Sequence, residues 1–178
     1  MIKQTLTNDG MEMVKAALKS QYRASLLMLE NAIALCTDDL WYSQEYSNRT
    51  WQMVYHCLFF TNLYLFQQLD QRKNWSQHLP DYQNLGEEEG KQPYTRAALI
   101  DFTREILAAL DQRVDGLDLN EEDCGFHWYK VNKLEHQLVN LKHLQHHLGQ
   151  LQDRIRREQN TGIAWVRDGS GERRIDRD

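Results

Sequence analysis

Two prolines in 178 residues, Pro80 and Pro93, leave long segments in which nothing interrupts a helix, and those segments are also nearly free of glycine. A sheet protein needs frequent turns, so the scarcity points to helices. Long apolar runs are missing too. The longest spans residues 54–66 and contains His56, Thr61 and Asn62, which is too short to cross a bilayer. No basic segment followed by an apolar one opens the chain, so no signal peptide is expected. Positive charge is scarce: the net charge is −5 and the one basic cluster, Arg154, Arg156 and Arg157, sits near a predicted helix end. Nucleic-acid binding has little electrostatic support on that count. The cysteines, Cys36, Cys57 and Cys124, are odd in number and lack CxxC spacing, which suits free thiols in a reduced compartment. The expectation is a soluble, cytoplasmic protein with neither a membrane nor a nucleic-acid partner.

Hydrophobic residues at 41% and charged residues at 26% place the chain among globular proteins, and its length suits one domain over 1–178. Val14, Leu18, Tyr22, Ser25, Leu29, Ile33 and Cys36 recur at steps of three or four, predicting a helix over 8–36 that Thr37-Asp38-Asp39 ends. Ser47 or Thr50 can cap a second helix reaching residue 72, apolar nearly all the way round in its middle and therefore expected to be the most buried. The stretch 73–94 is irregular, with Glu87-Glu88-Glu89 read as a solvated loop tip and not a metal site. A third helix is predicted from Thr95 to before Gly116, on Leu99, Phe102, Ile106, Leu110 and Val114. The fourth covers 130–158, with Leu134, Leu138, Leu141, Leu144, Leu148, Leu151 and Ile155 as a near-heptad seam. The tail 159–178 reads as irregular and loosely attached, with Ile163, Trp165 and Val166 able to tuck against the helices. Together these describe an all-α four-helix bundle.

Seven histidines is a large number for such a chain, and four of them, His136, His143, His146 and His147, fall on the fourth helix. His143 and His147 are four apart and so share a face, the spacing two imidazoles need to reach one ion, as in HExxH. Leu144 replaces the glutamate of that motif, which disfavours a metalloprotease. His56 is the third candidate ligand, because an unpaired polar ring in so apolar a helix is costly to bury. A lone histidine on an apolar face is ordinarily a hydrogen-bonded core residue; a pair at i, i+4 with a third in an apolar helix turns the reading to metal. Three imidazoles with an open position is the arrangement of catalytic zinc sites. His136, Asn140 and Gln150 project to the same side as the pair and become candidates for orienting a ligand or substrate. Cys57 points about 100° from His56 and reads as core. His146 faces a neighbouring helix or solvent, and His78 and His127 fall in predicted loops with no role assigned. The set Trp51, Tyr55, Phe59, Phe60, Tyr64 and Phe66 reads as core and pocket wall. Glu135, about a quarter-turn off the histidine face, is a weak general base.

Two segments carry a family resemblance. The run Trp51-Gln52-Met53-Val54-Tyr55-His56-Cys57-Leu58-Phe59-Phe60-Thr61-Asn62-Leu63-Tyr64-Leu65 resembles the second-helix signature of the DinB-like superfamily of bacterial metal-binding bundles. Asn140-Leu141-Lys142-His143-Leu144-Gln145-His146-His147-Leu148-Gly149-Gln150-Leu151 is similar to that family's HxxHHxGQ element. Pro93-Tyr94-Thr95 before the third helix and the late Gly162-Ile163-Ala164-Trp165-Val166 agree in order, so the resemblance covers nearly the whole chain. Lys142 stands where many relatives carry arginine, a surface change. The resemblance implies an up-down-down-up four-helix bundle, one divalent metal on His56, His143 and His147, and a homodimer. It further implies kinship with S-transferases and isomerases that use mycothiol or bacillithiol.

The chemistry expected of such a site is transfer of a low-molecular-weight thiol (bacillithiol, mycothiol or glutathione) to a small-molecule electrophile, with hydrolysis by activated water as the alternative. A third reading is a non-enzymatic, dimeric stress or regulatory protein whose metal only ties three histidines together. Imidazole ligands suit zinc, nickel, iron and copper alike, and availability decides among them.

Overall fold

Helix starts in this chain are set by short polar side chains that take up otherwise unbonded backbone N–H groups. In the computed structural model, which describes residues 5–86, 90–171 and 173–174, this happens four times. Thr7 Oγ1 accepts from Gly10 N (3.2 Å) to open α1, Asn8–Leu35. Thr37 Oγ1 accepts from Leu40 N (3.4 Å) to open the short α2, Asp38–Tyr42. The Thr37-Asp38-Asp39 break is thus a cap and a new first turn, a helix the hydrophobic pattern does not predict. Helix α3, Thr50–Tyr64, has no side-chain cap. Thr95 Oγ1 accepts from Ala98 N (3.2 Å) at the start of α4, Arg96–Asp115. Asn132 Oδ1 accepts from Glu135 N (2.8 Å) at the start of α5, Lys133–Gln159.

The described residues are all-helical apart from a two-residue pairing in the tail, in a packing compatible with a helical bundle. Helix α1 lies against α4 and α5, and α3 lies against α5 and α4. Tyr22, Leu29, Ile33, Leu58, Leu99, Leu110, Leu144 and Leu151 form the centre of the shared core. Among the described residues no helix is long and apolar enough to cross a membrane. The acidic run Glu87-Glu88-Glu89 lies outside the described residues.

Three expectations need correction. The second long helix stops at Tyr64 and not at residue 72; a short 3-10 turn, Leu69–Gln71, follows. The reason is distant in sequence: Gln137 donates to Tyr64 O (2.8 Å) and the buried Lys133 ammonium donates to Phe66 O (2.7 Å) and Gln67 O (2.8 Å), taking carbonyls that a continuing helix would use; Lys133 also donates to Cys124 O (2.9 Å). Gly125 makes this possible, because a Cβ there would lie 2.4 Å from Gln67 O and its φ is +81°. Second, Leu138 is 54% exposed and leaves the predicted seam. At about 100° per residue it lies about 110° from the centre of the stripe made by Leu144, Leu148, Leu151 and Ile155. Third, the described part of the tail is anchored. Trp165–Val166 (β1) pairs antiparallel with Arg173–Arg174 (β2), Val166 is buried, and Gly169 N donates to Ser20 Oγ of α1 (2.9 Å). Trp165 stays half exposed, so of the three tail residues expected to tuck in, it does so least.

Candidate metal centre

Helix α3 is covered on nearly every side, as its composition predicts; only His56, Phe59 and Phe60 are less than fully buried. These three share one face of the helix. Helix α5 lies across that face, with His143 and His147 one turn apart. One ring nitrogen from each of His56, His143 and His147 lies within 4.8 Å of the others. His56 Nε2 and His143 Nε2 are 3.1 Å apart. The rings meet at centroid distances of 5.1 Å (56–143), 4.9 Å (56–147) and 4.6 Å (143–147). Zinc–imidazole bonds of 2.0–2.1 Å in a tetrahedron put ligand nitrogens about 3.4 Å apart, so the 3.1 Å pair is already at ligand spacing and the third needs a small adjustment.

The hydrogen bonds decide which nitrogens are free. His56 Nδ1 lies 2.7 Å from the backbone carbonyl of Gln83, and a carbonyl can only accept, so Nδ1 carries the proton. His147 Nδ1 likewise donates to Gln150 Oε1 at 2.8 Å. In a neutral ring Nε2 is then a bare lone pair. Burial holds all three rings neutral. It lowers the pKa of His56 against the opposing pull of the Gln83 carbonyl. It lowers His147 to about 4, with Gln150 pulling the other way and repulsion from His56, His146 and Arg154 adding to the drop. It lowers His143 to about 3, helped by repulsion from His147, His56 and His146. With His56 Nε2 bare, the 3.1 Å contact requires His143 to donate from its own Nε2. Its Nδ1 is then a buried acceptor with no partner among the described residues. Two lone pairs converging on a third ring whose outer nitrogen is orphaned is an arrangement that a divalent cation fits.

Among the described residues no carboxylate or cysteine belongs to the cluster, so the donor set there is three nitrogens. Phe60 packs against His56 (4.8 Å) and His143 (5.8 Å), while Phe59 stacks on His78 (5.2 Å). His78 Nδ1 in turn lies 2.6 Å from the Tyr55 hydroxyl. This aromatic wall includes a loop histidine to which sequence reasoning gave no role. His146 is exposed, with its ring 5.0 Å from that of His147, and stands outside the cluster.

The three residues proposed to orient ligands part company. Gln150 bonds His147. Asn140 is fully buried and donates from Nδ2 to Thr61 O (3.2 Å), tying α5 to α3. His136, two turns before His143, is enclosed by Tyr64 (4.6 Å), Phe126 (4.8 Å) and Tyr129 (5.1 Å). It is held apart from the cluster by Phe60 and Tyr64. Glu135 is exposed in the first turn of α5. The Gln83 carbonyl was not foreseeable, since a backbone group 27 residues from its histidine leaves no trace in residue type. A separate open groove of about 930 Å³, rimmed by Asp70, Arg72, Glu121, Asp123 and His127, contains none of the three histidines. No family model, curated protein or solved structure matches the chain.

Proposed function

We propose that this chain is a metal-dependent enzyme of the DinB-like kind, a four-helix bundle of up-down-down-up type that transfers a low-molecular-weight thiol to a small electrophile. The observation that carries this reading is the convergence of His56, His143 and His147 with ligand nitrogens within 4.8 Å. A divalent ion (zinc, nickel or iron) bound there supplies Lewis acidity that ionises a thiol or water at neutral pH. The chain's own part is to present three neutral imidazoles, two of them locked with Nε2 inward, and to leave the remaining positions open. His56 and His143 are half-buried, which keeps the cluster at the edge of the core and within reach of solute. Phe59, Phe60 and His78 offer an aromatic surface beside it for the apolar part of an electrophile. Among the described residues the cluster contains no carboxylate, so in this reading the ionised form of the nucleophile depends on the ion.

The test is an assay of zinc-, nickel- or iron-loaded protein with bacillithiol, mycothiol and glutathione, each with a reactive electrophile, alongside His143→Ala. Turnover with one thiol in the parent and none in the variant is the expected result. Absence of turnover with all three thiols sinks thiol transfer; ester or amide cleavage in the same preparations would then favour the hydrolase alternative. A homodimer is part of the same proposal, and light scattering after gel filtration should give twice the 21.2 kDa chain mass. A bound ion with no exchangeable position, seen by water-proton relaxation of a paramagnetic substitute, would favour the non-enzymatic reading.

A further inference from the structure

The geometry points to Gln150 as a positioning residue of the metal centre, one that holds His147 with its Nε2 lone pair aimed at the ion. The inference rests on the metal reading above and adds how the site is preorganised. Of the three histidines, two are oriented from outside and by different means. His56 is held by the backbone carbonyl of Gln83, contributed by the long 73–94 connection, and His147 by the side-chain oxygen of Gln150, three residues further along the same helix. His143 has no such partner, and its Nδ1 is buried without a hydrogen bond among the described residues.

Gln150 suits this task for three reasons. An amide oxygen accepts and cannot donate, so it selects one tautomer of the ring. The i, i+3 spacing on a helix brings the two side chains over each other without help from any other element. Gln150 is itself exposed, so the bond to His147 is made at the rim and does not serve to fill the core. Partners of this kind raise ligand basicity and fix ring orientation, and their loss commonly lowers metal affinity about 10–100-fold.

The experiment is a Co²⁺ titration of parent, Gln150→Leu and Gln150→Glu, read by competition with a chromophoric chelator and by the visible ligand-field bands. Gln150→Leu keeps the bulk but removes the acceptor, and it should weaken binding about 10–100-fold and alter the bands. Gln150→Glu restores a stronger, charged acceptor and should bind at least as tightly as the parent. If Gln150→Leu binds within about two-fold of the parent with an unchanged spectrum, or Gln150→Glu is as weak as Gln150→Leu, the positioning role is overturned while the metal site stands. If the parent takes up no Co²⁺, or His143→Ala takes up as much as the parent, the metal reading itself fails. Because the substituted position is exposed, a general loss of folding does not compete as an explanation, and circular dichroism of the three proteins should coincide.

Discussion

His136 is fully buried, yet neither of its ring nitrogens has a hydrogen-bond partner among the described residues. Burial, and then repulsion from Lys133, holds its pKa down at about 4. In the unfolded chain the same ring titrates near 6.5, so between pH 6.5 and 4 the unfolded state binds the extra proton. The native state is therefore favoured above that window and loses ground as pH falls through it, by up to about 1.4 kcal/mol per pH unit for this one group. His136→Phe, which suits the aromatic box of Tyr64, Phe126 and Tyr129, should retain more of its stability on acidification than the parent. Urea unfolding at pH 7.5, 5.5 and 4.5 checks this, and equal acid sensitivity in the two proteins would remove His136 from the account. The neighbouring histidines make a second contrast at this scale. His147→Ala removes a cluster nitrogen and should abolish stoichiometric metal uptake, whereas His146→Ala, exposed and outside the cluster, should leave the metal content of purified protein unchanged.

At the scale of elements, buried side chains of α5 meet the carbonyls at the end of α3: Gln137 donates to Tyr64 O, and Lys133 donates to Phe66 O and Gln67 O just beyond it. Lys133 joins the start of α5 to three carbonyls in two other segments, and burial lowers its pKa to about 8, which still leaves it charged at neutral pH. Lys133→Met keeps the aliphatic stem but strands the carbonyls of Phe66, Gln67 and Cys124. The expected cost is about 3 kcal/mol or more in urea unfolding at pH 7, with amide exchange rising first around the 3-10 turn. A loss below about 0.5 kcal/mol, the range of an ordinary surface substitution, would show that water satisfies those carbonyls instead. The same residue marks the limit of what periodicity can deliver. The stripes of α1, α4 and most of α5, and the capping role of Thr95, were legible because they depend on neighbours three or four positions away. The pairing of His143 with His147 was legible for the same reason, and His56 stood out because its surroundings are so apolar. The end of α3 meets a glutamine 73 residues away and, just beyond it, a lysine 66–67 residues away. The tautomer of His56 depends on a loop carbonyl, and the enclosure of His136 depends on how Phe126 and Tyr129 fold back over α5. None of these has a local signature. The exposure of Leu138 did have one, since a 3.6-residue period separates it from the seam that a heptad count includes.

At the scale of the molecule, the cluster adds a third kind of link between helices that already meet through packing and through hydrogen bonds such as Asn140 to Thr61 and Gln137 to Tyr64. His56 belongs to α3, His143 and His147 to α5, and Gln83 to the connection between α3 and α4, so an ion on the three rings would fasten these parts to one another. Binding to the native state alone stabilises it by RT ln(1 + [L]/Kd), about 2.7 kcal/mol at a free metal concentration 100 times Kd. For a chain of this size 1 kcal/mol corresponds to about 2–4 °C, so Zn²⁺ at that level should raise Tm by about 5–10 °C over chelator-treated protein. The rise should grow with the logarithm of metal concentration and disappear in His143→Ala, which keeps the same surface histidines for adventitious binding. Amides near Gln83 should gain protection in the same titration, because an ion that fixes the His56 ring also fixes the Nδ1–H that holds this carbonyl. A Tm that does not move with metal would show that the cluster is held by the His143–His56 hydrogen bond and not by an ion. The Nε2–H of His143 on the bare Nε2 of His56 would then be the resting purpose of the cluster, and the orphaned Nδ1 of His143 its standing cost.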